Sequence, residues 1–360
     1  MKDWGWRLAM LAAAGVAGYV AKSMGLPLPW MIGPLLLTAC LGLAEIEIPR
    51  HQYYRPVGQL VVATAVGLYF TPDALAEVSR QAVEMVAAAI LTIGAGFTSA
   101  LLLYRLARTD GSTAFFAAMP GGPAEMSVLA ERWGVPGAPV VFSQTLRIVF
   151  IVLLIPPLLM YFAGISIPRL RPVAEVNLPG LVALYALAAA GTVVMRAVRV
   201  PNCNFLGPLA VGALISGTGF VLSGVPAPLL AAGQVLLGVS LGAQFTRQQI
   251  ARDIRFSWAA VIATIALLAQ CAAVAYGLWL ITDGKLLGGF LLATAPGSVT
   301  EMALTAKLLS QGVAMVTAYH LVRIFIVIPL APLLYRIYRY TMRGWMVFPD
   351  GDAPGSKKNV

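Results

Sequence analysis

The sequence predicts an all-α integral membrane protein with about ten transmembrane helices in two inverted repeats, each with a broken or re-entrant Pro-Gly segment. Three observations lead to this prediction: an apolar composition, a series of long apolar runs, and an internal repeat. Of the 360 residues, 59% are hydrophobic and 11% are charged, and the mean hydropathy is +0.82. A soluble domain has about 25% charged residues, so this composition fits a lipid bilayer.

Apolar runs suited to helical membrane crossings recur along the whole chain. A span needs roughly 17–25 residues, and about ten crossings fit. Outer-membrane strands would instead alternate polar and apolar residues over about ten positions. The runs are Leu8–Val20, Leu28–Leu43, Val57–Phe70, Val83–Leu103, Val140–Ile165, Leu178–Val194, Phe205–Leu222, Pro228–Ala243, Trp258–Ile281 and Val313–Leu334.

Net charge and cysteine content exclude other classes of protein. The net charge is +10 and the pI about 9.7, but the sequence has no basic stripe or recognition module for nucleic acid. Loop arginines that face the cytoplasm account better for the excess. Cys40, Cys203 and Cys271 stand singly in or beside apolar runs. We therefore expect them to be packing residues rather than disulfide partners or metal ligands.

An internal repeat divides the chain into two copies of one unit. The segment "LPLPWMIGPLLLTA" matches "VPNCNFLGPLAVGA" at an offset of 174, and "GQLVVATAVGLYFT" matches "GQVLLGVSLGAQFT" at 175. The first apolar run has its repeat partner in mid-chain, so we interpret it as a retained helix rather than a cleaved signal peptide. The predicted divisions are a first membrane repeat (1–168), a connector (169–177), a second membrane repeat (178–343) and a disordered cytoplasmic tail (344–360).

The distribution of lysine and arginine predicts that the two copies are inverted. With five crossings per copy and the N-terminus inside, 17 basic residues lie inside and 6 outside. With six crossings per copy, the same count gives 14 and 9. The positive-inside rule favours the odd number, which turns the second copy upside down.

Each copy has one apolar segment interrupted by proline, glycine and a carboxylate. The two segments are "MPGGPAEMSVLAERWG" from Met119 and "APGSVTEMALTAKLLS" from Ala295. A helix break in hydrocarbon survives only where protein or a water-filled cavity covers the freed backbone groups. In the first segment, the order Gly-Pro-Ala-Glu fits a cap followed by the first three positions of a new helix. In the second, Ser-Val-Thr-Glu forms a capping box.

Two interpretations of these segments stay open. The glutamates either cap a turn near the membrane interface, or two inverted half-helices meet near the midplane and form a substrate site. Under the second interpretation, the binding residues of the two segments are Gly121, Glu125, Gly297, Ser298, Thr300 and Glu301.

Each copy also places an arginine in an apolar run, 22 residues after the glutamate: Arg147 and Arg323. A charge at the centre of a span costs roughly 2.5–3.5 kcal/mol on insertion scales. Each arginine therefore either snorkels to the interface or acts in a cavity, where it pairs with a glutamate or binds an anion. Gln144 and His320 stand three residues before these arginines, on the same helical face.

Three of the neutral polar residues have two interpretations each. His320 either titrates near neutral pH or packs as an ordinary buried histidine. Gln59 and Gln234 each follow a glycine in the third helix of their copy. They either line the same cavity as the arginines or form hydrogen bonds between helices.

The paired "PGGPAEM" and "PGSVTEM" motifs, the "LPWMIGPLL" and "NFLGPLAVG" segments and the two Gly-Gln helices resemble the AbrB membrane-protein family, a group of duplicated hydrophobic bacterial proteins. The resemblance covers the chain from about Gly15 to Tyr338. This family shares only its name with the small DNA-binding transition-state regulator. Its members are often labelled ammonia monooxygenases or linked to regulation of gene expression. The resemblance implies those labels but supplies no catalytic residues.

The oxygenase label conflicts with ligand chemistry. A copper or iron oxygenase needs several imidazole or carboxylate ligands at one site, whereas the sequence has two histidines, His51 and His320, and no paired metal-binding motif. A nucleotide-driven pump would need a Gly-rich Lys-Ser/Thr loop, which the sequence lacks. We therefore expect neither an enzyme nor a bound cofactor or metal.

Two functions remain after these exclusions. The first is a secondary transporter or exporter coupled to protons or sodium, with Glu125 and Glu301 as coupling or substrate carboxylates and the arginines as their partners. The second is a membrane regulator, although the predicted tail "GWMVFPDGDAPGSKKNV" is the only sizeable cytosolic surface. We expect a multi-pass protein of the bacterial inner (plasma) membrane with both termini in the cytoplasm. Its expected partners are the lipid bilayer and a small-molecule or ion substrate but not nucleic acid, and a homo-oligomer stays open.

Overall fold

The chain is helical through the part that the computed structural model describes, residues 2–46, 48–49, 51–162, 175–248, 253–282 and 287–348. These ranges contain fifteen helices and no strand, which confirms the all-α class. The first eight helices are α1 (Lys2–Ser23), α2 (Pro29–Leu43), α3 (Tyr54–Gly67), α4 (Pro72–Arg80), α5 (Ala82–Ala107), α6 (Gly111–Ala118), α7 (Pro123–Arg132) and α8 (Gly137–Phe162). The other seven are α9 (Leu178–Ala197), α10 (Cys203–Gly217), α11 (Ala227–Gly242), α12 (Ile254–Ile281), α13 (Leu287–Thr294), α14 (Val299–Leu309) and α15 (Val313–Met342).

Several of these helices are long and apolar enough to cross a membrane. Within the described ranges, α5, α8, α9, α12 and α15 qualify, and α3 with α4 makes a sixth if this pair, bent by 91°, is one span. Helices α2, α10 and α11 are apolar but shorter. A 15-residue helix is about 22 Å long, against about 30 Å of hydrocarbon. The helices thus support a membrane protein, whereas the number of about ten crossings stays a prediction.

The order of helices in the first half of the chain recurs in the second half. Helices α1–α3 and α5–α8 correspond to α9–α11 and α12–α15, and their first residues lie 172 to 176 positions apart. Unusual backbone conformations recur in the same way. Leu28 and Asn202, which cap α2 and α10, have φ values of 46° and 53°. Gly134 and Ser310 both have positive φ. The two halves therefore share local backbone structure, and their inversion stays a prediction.

The described chain forms two compact units, each built from both halves of the sequence. Unit 1 comprises Met1–Ala82, Val152–Gln248 and Val299–Ala318. In it α2 packs against α1 and α11, α10 packs against α9 and α3, and α3 packs against α11. Glycines permit these close approaches: a Cβ atom on Gly58 would lie 2.8 Å from the carbonyl oxygen of Gly233, and one on Gly67 would lie 2.7 Å from that of Leu209.

Unit 2 comprises Val83–Ile151, Gln249–Ser298 and Tyr319–Val360. It contains the first helix break and residues 295–298 of the second, whereas α14, which follows the second break, belongs to unit 1. Its core includes an aromatic cluster made by Phe115, Phe116, Trp133, Tyr335 and Tyr338, with ring centroids 4.9 to 5.3 Å apart between neighbours. The hydroxyls of Ser112 and Tyr335 lie 2.6 Å apart. Because Ser112 and both phenylalanines belong to α6, this cluster fixes that short helix against the C-terminal part of α15.

Candidate functional site: two capped helix breaks

The first helix break separates α6, which ends at Ala118, from α7, which begins at Pro123. Gly122 caps α7 in an extended conformation, with φ −79° and ψ 147°, and Glu125 lies in the first turn. The sequence predicted this helix start. Helix α6 has eight residues, so a large share of its carbonyls have no partner inside the helix.

A buried arginine and a buried glutamine donate hydrogen bonds to carbonyl oxygens at the end of α6 and in the break itself. Arg147 is 3% exposed and donates through Nη1 to the carbonyl oxygen of Ala118 at 3.0 Å and through Nη2 to that of Gly121 at 3.3 Å. Gln144 is fully buried and donates through Nε2 to the carbonyl oxygens of Phe116 and Met119, at 3.0 and 2.8 Å. Arg147 also donates to Oε1 of Gln144. The C-terminal end of α6 is thus closed by side chains from α8.

The second break, between α13 and α14, has the same arrangement. Arg323 is 5% exposed and donates to the carbonyl oxygens of Ala295 at 2.7 Å and Gly297 at 2.8 Å. His320 is fully buried, and its Nε2 lies 2.9 Å from the carbonyl oxygen of Leu292. Its Nδ1 lies 2.8 Å from Nη2 of Arg323. Since a guanidinium has only donors, Nδ1 accepts this bond and Nε2 donates to Leu292.

The contacts explain why each half buries a cation. The C-terminal end of a helix has a partial negative charge of about half an elementary charge, and each guanidinium lies against it. Neither arginine snorkels to an interface, because both are almost fully buried. The ion pairs among the described residues are Arg80–Glu77 and Arg247–Glu45, and neither includes Arg147 or Arg323. Both arginines therefore act as caps of a helix end, a role that the sequence did not suggest.

The Nε group of each arginine is not used in these caps. Nε of Arg147 and Nε of Arg323 are buried and have no hydrogen-bond partner among the described residues. Beside Arg147 lies a cavity of about 10 Å³ that is lined by Ser99, Ser143 and Thr264 among other residues. This volume is enough for about one water molecule. The first break thus has room for a single small polar group next to its arginine.

The two glutamates differ in environment. Glu125 is partly buried, and a Cβ atom on Gly122 would overlap its carboxylate, so this side chain folds back over the cap of α7. Glu301 is 1% exposed, and its Oε2 has no hydrogen-bond partner among the described residues. The same holds for Oγ1 of Thr300, also 1% exposed. Ser298 and Gly121 are partly and Gly297 fully buried. The second break therefore has the less satisfied polar groups.

The glutamines of the third helices lie in unit 1. Gln59 is 4% exposed and donates through Nε2 to Oδ1 of Asn202, the residue that caps α10, at 3.2 Å. This contact fits a hydrogen bond between helices. Gln234 is 8% exposed in α11. Among the described residues, no group of three histidines, cysteines or carboxylates is placed to hold a metal ion.

The predicted connector and tail fall mostly outside the described residues. Residues 169–174 of the connector and 349–360 of the tail lie outside the described ranges. The first residues of the tail pack in unit 2: the amide of Gly111 donates to the carbonyl oxygen of Val347 at 2.9 Å. The ring of Phe348 meets that of Tyr338 edge-on, with centroids 6.0 Å apart. The start of the tail thus contacts the first residue of α6.

Comparisons with known proteins match almost the whole chain. A family model described as "Transition state regulatory protein AbrB" matches residues 30–339. A Bacillus subtilis (strain 168) protein named "Uncharacterized protein YhjN" is 26% identical over 365 aligned positions, covering 93% of each chain. An Escherichia coli (strain K12) protein named "Putative regulator AbrB" is 24% identical over 342 positions, covering 93% of this chain and 96% of that one. These matches confirm the resemblance inferred from the motifs.

Proposed function

The chain belongs to the AbrB family, and from this premise and the two capped helix breaks we propose that it is a secondary transporter of a small solute. It would work as a multi-pass protein of the bacterial inner membrane, coupled to protons or sodium, without catalysis or a cofactor. Its partners would be the bilayer and a small-molecule or ion substrate.

The observation that supports transport is the pair of equivalent breaks, each inside an apolar segment and each closed by a buried arginine. Discontinuous helices in transporters place half-helix ends at the substrate and ion sites. Irregular backbone at membrane depth persists only where it is buried in protein or lines a cavity. Two breaks in corresponding positions of two halves fit this design better than they fit a purely structural bundle.

Within this proposal, Glu301 is the coupling carboxylate. A carboxylate oxygen that is buried without a partner is costly, and binding of a proton or a cation would remove that cost. Oγ1 of Thr300, in the adjacent position, is a second buried oxygen with no partner among the described residues. The arginines hold the helix ends in place, and their Nε groups, which have no partner within the described residues, are donors for the substrate or for water.

We further propose the inverted arrangement with both termini in the cytoplasm. Five crossings per half would be α1, α2, α3, α5 and α8 in the first half and their counterparts in the second, with α6–α7 and α13–α14 re-entrant. The short helices of eight to eleven residues on either side of each break support this count, since about 20 residues are needed to span. The variants Arg171→Cys and Lys357→Cys are labelled with a membrane-impermeant thiol reagent. Labelling of the two cysteines from opposite sides of the membrane supports inversion, and labelling from the same side overturns it.

Flux measurements in proteoliposomes test the transport proposal. Wild type, Glu301→Gln and the control Glu77→Gln are reconstituted and assayed with short-chain carboxylates and small amines, with and without pH and sodium gradients. Glu77 is a suitable control because it lies on an exposed helix in a surface ion pair. We expect gradient-driven flux of one solute class in wild type and in the control, and at least about a tenfold loss in Glu301→Gln. No gradient-driven flux across the panel would contradict the proposal.

A second candidate function is regulation, which one observation favours: the Escherichia coli relative is named as a regulator. A transporter whose solute alters gene expression would satisfy both functions. Expression profiles of a deletion strain complemented with wild type or with Glu301→Gln separate them. If the transport-deficient variant restores the wild-type profile, regulation is direct and does not depend on flux.

A further inference from the structure

A wide cleft in unit 1 lies away from both helix breaks along the chain. It has a volume of about 990 Å³, within the range of small-molecule sites. It forms where α1 begins and where α2 and α11 end. Among the described residues, its lining includes Trp6, Arg7, Glu45, Ile46 and Arg247.

Two arginines give the cleft its positive charge. Arg7 is partly buried, and its Nε is buried without a hydrogen-bond partner among the described residues. Arg247 pairs with Glu45 at 3.6 Å, but the two side chains are 68% and 67% exposed. Exposed pairs of this kind contribute little and exchange partners readily. The cleft is therefore lined by the partly buried guanidinium of Arg7 and by that of Arg247, which is weakly held.

The cleft also has apolar residues beside the polar Thr246 and Gln248. Trp6 is 46% exposed and Ile46 is 43% exposed, and the partly buried Ile48 and Pro49 also line the cleft. Tryptophan beside arginine at the ends of apolar helices is typical of the level where a membrane protein meets lipid headgroups. A ligand that matches both the arginines and the apolar residues of the cleft has an anionic head and an apolar body.

We propose that this cleft binds the phosphate headgroup of an anionic phospholipid. The guanidinium groups of Arg7 and Arg247 donate to the phosphate oxygens, since guanidinium and phosphate match in bidentate geometry. Trp6 and Ile46 contact the glycerol and the first acyl carbons. Glu45 releases Arg247 when the lipid binds. This site is separate from the proposed transport site and does not depend on it.

Thermal unfolding of the purified full chain in detergent tests the proposal. The midpoint is measured with increasing phosphatidylglycerol, with phosphatidylcholine and with inorganic phosphate. We expect phosphatidylglycerol to raise the midpoint by several degrees more than phosphatidylcholine does, because a ligand of the folded state stabilises it. Equal shifts with the two lipids would overturn the proposal. An equal response to inorganic phosphate would overturn the lipid assignment in favour of a site for free phosphate.

Three variants locate the effect. In the double variant Arg7→Gln/Arg247→Gln, about tenfold more phosphatidylglycerol should be needed for the same shift. Arg80→Gln is the matched control, because Arg80 is also exposed and paired with a glutamate but lies outside the cleft. Glu45→Gln should increase the response, since it frees Arg247. Each shift is measured against the variant's own midpoint, so a less stable variant still gives an answer. Loss of the response in Arg80→Gln to the same degree would overturn the site.

Discussion

The two helix breaks share their caps and differ in the extent of aromatic packing and in their buried polar groups. In both, an arginine donates to the glycine carbonyl of the break, and the residue three positions earlier contacts a carbonyl of the short helix. The first break is packed by an aromatic cluster, whereas at the second both Thr300 and Glu301 have a buried oxygen with no hydrogen-bond partner in the part of the chain that the structure describes.

This difference separates what a break requires from what a function requires. A helix end in an apolar environment must have its carbonyls satisfied, so the arginine is present in both halves. Aromatic packing fixes one break, and unsatisfied polar groups at the other are costly to bury. Such groups persist where they bind something. We therefore assign the ion site to the second break and a supporting role to the first.

Loss of Phe115 should have the largest effect on stability. Its side chain is fully buried and contacts Phe116, Tyr335 and Tyr338, and truncation of a buried phenylalanine costs about 3–5 kcal/mol. Phe115→Ala should therefore lower the unfolding midpoint strongly. Leu291→Ala, at the corresponding position of α13, is the control and should cost less than half as much. Equal losses would show that the first break is not the more tightly packed one.

Arg147→Gln and Arg323→Gln should come next, with similar losses. Each variant removes charge-assisted bonds to buried carbonyls, which contribute about 1.5–3 kcal/mol each. We expect a loss of about 2–4 kcal/mol for either arginine. Arg80→Gln, at a side chain that is 79% exposed, should change stability by less than about 0.5 kcal/mol. Chemical or thermal unfolding of the three variants measures the change in the free energy of unfolding. A much larger loss for one arginine than for the other would contradict equivalent caps.

Replacement of His320 by glutamine, the residue at the equivalent position of the first break, should have the smallest effect on stability. Gln144 and His320 both contact an arginine and a backbone carbonyl of the short helix. His320→Gln should therefore cost less than about 1 kcal/mol, whereas His320→Leu leaves the carbonyl of Leu292 unpaired and should cost about 1–3 kcal/mol. If both variants unfold at the same midpoint, the imidazole does not act as a cap.

The sequence was sufficient to place the breaks but not to explain the arginines. Pro123 at the first helical position and the order Ser-Val-Thr-Glu before α14 are local signals, and both helices begin where these signals predict. The bonds of Arg147 and Arg323 join residues 26 to 29 positions apart, and local patterns do not specify such contacts. One signal was present: an eight-residue helix leaves terminal carbonyls that need donors.

Other features depend on packing between distant segments. The contacts of Tyr335 and Tyr338 with α6 bring together residues more than 200 positions apart. The cleft joins Trp6 and Arg7 to Arg247 in the same way. Hydrophobic periodicity indicates which residues are buried, but it does not indicate which distant residues they contact. The aromatic cluster and the cleft could therefore not be predicted.

Transport by Glu125→Gln and Glu301→Gln, measured side by side in proteoliposomes, tests whether the proposed ion site lies at the second break. Glutamine preserves the size of each side chain and much of its capping ability, so unfolding midpoints near that of wild type serve as the control. We predict at least about a tenfold loss of ion-coupled flux in Glu301→Gln and a rate close to wild type in Glu125→Gln. Wild-type flux in Glu301→Gln, or equal losses in the two variants, would contradict the assignment of the ion site to the second break.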